Sequence, residues 1–100
     1  TLPCPAAYQT RHVWNQFVVR SPRRDELKAY LNAQGIGCQI YYPIPLHLQR
    51  CFEFLGYREG ELPVSEQACR EVLALPVHGG LSADDFDYVC DHLTAFCGRG

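Results

Sequence analysis

The sequence predicts an α+β fold, a small three-stranded sheet with helices packed mainly on one face. Three observations carry this reading. A β-branched and aromatic run, an amphipathic helical stretch and an alternating segment follow one another between residues 12 and 42 with almost no loop. Two further amphipathic helical stretches lie beyond a long proline-containing segment. Between those two helices the short run LALPV is placed to add a strand.

Residues 1–11 hold two prolines and little periodicity, and read as a linker leading into a domain over residues 12–97. Residues 12–20, HVWNQFVVR, read as the first strand. Val13, Phe17 and Val19 share one face, and Trp14, Gln16 and Val18 the other, so both faces carry apolar groups. Ser21-Pro22 then looks like a helix start, with Ser as N-cap and Pro in the first turn. Asp25 and Glu26 suit the positive end of the helix dipole. Leu27, Tyr30 and Leu31 form the apolar stripe, and Gly35 supplies a left-handed C-cap.

Ile36, Cys38, Ile40 and Tyr42 alternate with polar or small residues and read as the second strand. The helix between the two strands returns the chain, so the strands run parallel. Residues 43–63 form the long irregular part, with a short helical turn expected at residues 48–55. Ser65 is the expected cap of the next helix, with Ala68, Cys69, Val72 and Leu73 as its stripe. Residues 73–77, LALPV, read either as the end of that helix or as a short strand. As a strand they insert between the first two, antiparallel to both, giving the sheet order first, third, second. Ser82 and Asp85 resemble a capping box with Asp in place of Glu. The helix behind them carries Phe86, Val89, Cys90, Leu93, Phe96 and Cys97 on one face.

Composition limits the function classes. The chain has 100 residues, 47% of them hydrophobic and 20% charged, with a net charge of −2. One lysine and eight scattered arginines make no basic stripe, which argues against a nucleic-acid partner. No apolar run approaches the roughly 20 residues of a membrane span, which argues against a membrane partner. The sequence begins at Thr1 and contains no methionine, so a trimmed, processed or excised segment is expected.

The six cysteines, at 4, 38, 51, 69, 90 and 97, show no C-x-x-C spacing. Cys90 and His92 diverge by about 200° around a helix. Buried, reduced, metal-free thiols in a cytoplasmic protein are expected.

Few residues look chemical. No glycine-rich phosphate loop or serine nucleophile elbow is present. Lys28 reads as a solvated surface lysine, His78 as part of a turn, His92 as exposed, His12 as a strand-edge residue and Trp14 as a core anchor. The stretch YYPIPLHLQ, residues 41–49, differs from these. Pro43 and Pro45 stiffen the chain where it leaves the second strand, and bias Tyr42 and Ile44 to extended geometry. His47 is thereby presented beyond the carboxyl end of that strand, where ligands meet α/β sheets. Gln49 adds a donor and an acceptor. The same histidine can instead be structural, bonded to local carbonyls.

The succession HVWNQFVVR, LNAQGIG, YYPIPLHLQ, LGY, LPVSEQACREVLALPV and LSADDFDYV resembles the carboxyl-terminal part of the DegT/DnrJ/StrS family, over roughly residues 12–93. These are pyridoxal-phosphate-dependent sugar aminotransferases of fold type I, with a large cofactor domain and a small carboxyl-terminal domain. The resemblance implies that this chain is the small domain of a homodimeric, cytoplasmic parent. That parent would move an amino group from an amino acid such as glutamate to a keto sugar on a nucleotide. It implies substrate-binding roles for His47, with Tyr42 and Gln49 lining the site, and no catalytic or cofactor-binding residue here. Many relatives carry His where this chain has Tyr41, which bears on the choice of sugar. His12, Trp14 and Asn15 match the family's strand opening without an assigned role. The rival readings are a stand-alone βαβ-type binding or regulatory module without catalysis and a structural interaction domain. The reading frame upstream of Thr1 separates the first reading from these.

A Schiff base to pyridoxal phosphate needs a lysine amine, and Lys28 on a helix surface is not placed to supply a cofactor site. The chain mixed with pyridoxal phosphate and reduced with borohydride is therefore expected to show no stoichiometric, site-specific adduct by mass spectrometry. A stoichiometric Lys28 adduct that supports turnover would overturn this.

Overall fold

The computed structural model describes residues 1–98. The regular elements are β1 (Phe17–Arg20), α1 (Arg24–Ala33), two 3-10 turns (Leu46–Leu48 and Arg50–Leu55), α2 (Pro63–Glu71), β2 (Val72–Leu75) and α3 (Ala83–Cys97). β1 and β2 pair antiparallel, with Phe17 opposite Leu75 and Arg20 opposite Val72.

The first strand is shorter than its sequence suggests. Trp14 takes left-handed backbone geometry (φ 49°), which interrupts extended chain before Phe17. Its N–H donates to His12 Nδ1 at 3.0 Å, and the two rings stack with centroids 3.9 Å apart. Val13 consequently lies exposed. The helix start also shifts. The Ser21 hydroxyl accepts from the Arg23 N–H, so it closes the turn before α1 and does not cap the helix.

The other end of α1 follows expectation. Gly35 sits at φ 75°, its N–H donates to the Asn32 carbonyl, and the Ile36 N–H donates to Leu31. This paired C-terminal closure requires the left-handed residue, and it brings Ile36 against Leu31 in the core.

The expected second strand reduces to a single bridge. Gln39 and Ala74 exchange both backbone hydrogen bonds, at 3.1 and 2.7 Å, in antiparallel sense. Ladder bonds on neighbouring residues point to opposite edges, so Gln39 lies on the edge of β2 away from β1. The expected order is thus preserved around β2, but the sheet has two strands and one bridge, not three strands. Side-chain alternation holds without a ladder, with Ile36 and Cys38 buried and Gly37 and Gln39 exposed. Pro43 and Pro45 then offer no N–H to extend the pairing.

LALPV forms a strand through Leu75, and Val72 and Leu73, expected on a helical stripe, belong to that strand. α2 begins at Pro63, with Ser65 inside the helix and not capping it. Proline suits this first position because its missing N–H has no helical partner there.

Phe17, Val19, Leu73 and Leu75 lie on the sheet face that meets α1 and α3. Val19, Leu27, Leu31, Ile36, Cys38, Leu73 and Phe96 are the buried core, and Leu31 and Leu73 are fully enclosed. The Ser82–Asp85 capping box forms in both directions, with the Asp85 N–H on Ser82 Oγ and the Ser82 N–H on the Asp85 carboxylate. The apolar face of α3 is covered only toward its carboxyl end. Phe96 is buried, Val89, Cys90 and Leu93 are half-buried, and Phe86 is 63% exposed.

Burial of most cysteines does not hold. Cys38 alone is buried among the six, Cys69 and Cys90 are half-buried, and Cys4, Cys51 and Cys97 are exposed. Burial pushes the Cys38 thiol up, and Lys28 offsets part of that rise. Lys28 is half-buried, not fully solvated. His92 is half-buried too, with Nδ1 2.9 Å from the Tyr30 hydroxyl.

Two arginines hold α2 in place, one by an ion pair from the sheet and one by carbonyl contacts from α1. Arg20 Nε and Nη2 both donate to Glu71 Oε2, at 3.1 and 2.7 Å. The buried Arg24 reaches from α1 to the carbonyls of Cys69 and Val72, at the carboxyl end of α2. There a cation and a donor are both favoured.

Leu31→Ala should leave a cavity at the centre of this core. A loss of about 2–5 kcal/mol is expected from the shift in the urea unfolding midpoint.

Candidate functional site

The proline-stiffened segment leaves the Gln39 bridge and turns along α2. The Tyr41–Tyr42 peptide is cis. Pro45 is extended (φ −66°, ψ 147°), and its carbonyl accepts the Leu48 N–H at 3.0 Å, opening the first 3-10 turn. Gly56 closes the second turn in left-handed geometry.

The structure brings all three predicted residues together. His47, Tyr42 and Gln49 line one groove of about 610 Å³, whose remaining wall includes Ile44, Phe52, Tyr57, Leu62 and Ala68. The groove is mainly apolar with a few polar groups, the composition of a small-molecule site. Their situations differ. Tyr42 is 65% exposed at the rim. Gln49 is half-buried, and its Nε2 donates to the Ile44 carbonyl at 3.3 Å, which braces the loop against itself. His47 is buried, with only 7% of its surface exposed.

His47 is bonded to a side chain, not to local carbonyls. Its Nε2 lies 3.0 Å from Glu66 Oε1 on α2, and Tyr57 meets the imidazole edge-on at 6.0 Å. Glu66, with 5% exposure, was not singled out from the sequence. Its carboxylate also accepts the Gly60 N–H at 2.9 and 3.0 Å and the Leu62 N–H at 3.3 Å. Gly60 is at φ 91°, a geometry that suits glycine and lets its N–H face the carboxylate. One buried carboxylate therefore ties the 3-10 turn, the loop before α2 and the start of α2 together. Pro63 at the first helical position was the sequence signal. It places Glu66 in the first turn, within reach of the free N–H at the helix start.

Burial pushes the Glu66 carboxyl up. The Gly60 N–H, the His47 ring and the Leu62 N–H outweigh this and hold it below the ordinary glutamate value. Glu71 is held low by Gln67 and Arg20, and Asp85 by Ser82. Among the described residues no group of His, Cys, Asp and Glu is arranged to hold a metal ion, and no helix is long and apolar enough to cross a membrane.

This chain belongs to the DegT/DnrJ/EryC1/StrS aminotransferase family, whose model matches residues 1–94. It is 47% identical over 85 residues to a pleiotropic regulatory protein of Geobacillus stearothermophilus, covering 85% of this chain and 23% of that protein. It is 44% identical over 71 residues to the dTDP-3-amino-3,4,6-trideoxy-alpha-D-glucose transaminase of Streptomyces venezuelae, covering 71% of this chain and 19% of that enzyme. The crystal structure of S. venezuelae DesV superposes with a TM-score of 0.90 at 38% identity, over 95% of this chain and 25% of that one. The chain thus spans about a fifth to a quarter of the length of these relatives.

Pyridoxal phosphate, implied by the family resemblance, requires a lysine amine for covalent attachment. The groove lining contains no lysine, and Lys28 lies on α1 outside it. The residues of this chain do not fit the cofactor, and no chemical step is derived through it.

A glutamate whose folded pKa lies below its unfolded value stabilises the fold above the unfolded pKa. That stability is lost as the pH falls through the folded pKa. Thermal stability should therefore hold from pH 7 to about pH 5 and fall below about pH 4.5. In Glu66→Gln the fall should be shallower, with Glu71 and Asp85 supplying what remains. Calorimetric melting temperatures across this pH range check the difference.

Proposed function

We propose that this chain is the carboxyl-terminal, substrate-side part of a pyridoxal-phosphate-dependent nucleotide-sugar aminotransferase, working as a cytoplasmic homodimer. Its reaction would move an amino group from an amino acid such as glutamate to a keto sugar carried on a nucleotide. The observation that carries the reading is the gathering of Tyr42, His47 and Gln49 in one groove of a chain of this family. Relatives support the substrate class, since their names specify dTDP- and UDP-linked amino sugars. The cofactor and its lysine belong, in this reading, to a part of the parent beyond these residues.

The groove residues would hold the sugar nucleotide and do no covalent chemistry. Tyr42 and Tyr57 offer aromatic faces and hydroxyls, and the apolar wall excludes water around the ligand. The bracing bond from Gln49 to Ile44 and the anchoring of His47 on Glu66 keep the contacts in place before binding. A regulatory module without catalysis is the second reading, prompted by the name of the Geobacillus relative. Amine transfer by the intact protein separates the two.

Tyr42 is exposed at the rim, so its truncation should spare the fold. In the intact protein carrying this sequence, Tyr42→Ala should weaken use of the sugar nucleotide about tenfold, equivalent to about 1.4 kcal/mol. The half-reaction with the amino donor and the melting temperature should be unchanged. Equal loss in both half-reactions would refute the substrate-side assignment.

A further inference from the structure

We propose that Glu66 is a positioning residue that fixes the proton of His47 on Nε2, so that Nδ1 meets the ligand as a bare hydrogen-bond acceptor for a hydroxyl group. This rests on the groove being the ligand site.

The Gly60 and Leu62 backbone N–H groups can only donate, and the Glu66 carboxylate accepts from both. Burial raises its carboxyl, but these bonds and the His47 ring outweigh burial and hold it low, so it is ionised near neutral pH. An ionised carboxylate has no proton to give. The hydrogen in the 3.0 Å contact therefore comes from His47 Nε2. A neutral imidazole with its proton there has its lone pair at Nδ1, the same logic by which a carboxylate behind a histidine sets its ligating nitrogen.

Nδ1 makes no hydrogen bond among the described residues. Among them no fully buried side-chain nitrogen or oxygen lacks a partner, so Nδ1 reaches accessible space. The groove is the space that His47 lines. The ring cannot swing away to present its other nitrogen without breaking the Glu66 bond and the edge contact with Tyr57. An acceptor in an apolar wall favours an O–H donor and disfavours a phosphate oxygen, which would face it lone pair to lone pair. The ligand group expected at His47 is thus a hydroxyl of the sugar nucleotide, not its diphosphate.

Two measurements test this. Long-range proton–nitrogen NMR spectra of the 15N-labelled chain at pH 7.5 should show His47 with Nε2 protonated and Nδ1 unprotonated. A ring protonated on Nδ1, or on both nitrogens, overturns the proposal whatever any variant does. In the intact protein, titration calorimetry then compares dTDP-glucose with dTDP for wild type, Glu66→Gln and Tyr42→Ala. Glu66→Gln should weaken dTDP-glucose about fivefold, the scale of one hydrogen bond. Loss with dTDP-glucose alone assigns the hydroxyl to the hexose, and equal loss with dTDP assigns it to the nucleoside. If Tyr42→Ala weakens binding and Glu66→Gln does not, the positioning role fails while the groove stands. If neither variant matters, the groove is not the ligand site and both readings fall.

Discussion

The fold depends on a four-residue strand that needs partners on both edges. β2 takes β1 on one side and the Gln39 bridge on the other, and its Leu73 is completely enclosed. A buried strand with an open edge would leave backbone donors and acceptors without partners, each costing about as much as a lost hydrogen bond. The remaining elements answer that demand. The Gly35 closure turns the chain so that the Gln39 segment reaches the second edge, α1 and α3 cover the face, and Arg20 and Arg24 pin the helix that feeds the strand.

The outer surface is as informative as the core. The chain exposes 7421 Å², against about 5,800 Å² for a folded monomer of its size. Its radius of gyration is 15.8 Å, against about 13 Å for a compact domain of 100 residues. Many large apolar side chains are exposed on this surface. Phe86, Val77 and Leu2 open one hollow with Trp14 and Leu93, and Ile44, Leu46, Phe54 and Leu55 crowd the loop around the groove. A surface of this kind is suited to burial against further polypeptide. Such burial agrees with the small share of its relatives' length that this chain spans.

Much of the architecture was legible because it is locally encoded. The left-handed glycine after α1, the Ser82–Asp85 box and the apolar alternation around Cys38 each need only a few neighbouring residues, and each took the expected form. The groove residues were legible for a related reason, since two prolines fix a direction over a short span. Features that depend on distant partners were not. Glu66 meets His47 across 19 positions and Tyr30 meets His92 across 62. At the start of α2 two local signals compete: Ser65 is a good cap in isolation, but the observed start draws on Pro63 and on a carboxylate one turn in. The shortened first strand also has a local origin: the left-handed Trp14 stacks on His12 two residues before it, against the extended preference of its β-branched and aromatic neighbours.

Glu71 ends α2 and Val72 begins β2 with no residue between them. Helix and strand therefore share one phase. A single inserted residue at the junction would rotate α2 by about 100° against the sheet, and deeper in the strand it would exchange the faces of β2. The helix that carries Glu66 and the strand that carries Leu73 are thus tied to each other in length. Length variation is tolerable on the far wall of the groove, around the second 3-10 turn, where no ladder bond keeps count. Lengthening that wall would reshape the mouth of the groove while α2 and β2 stay in register.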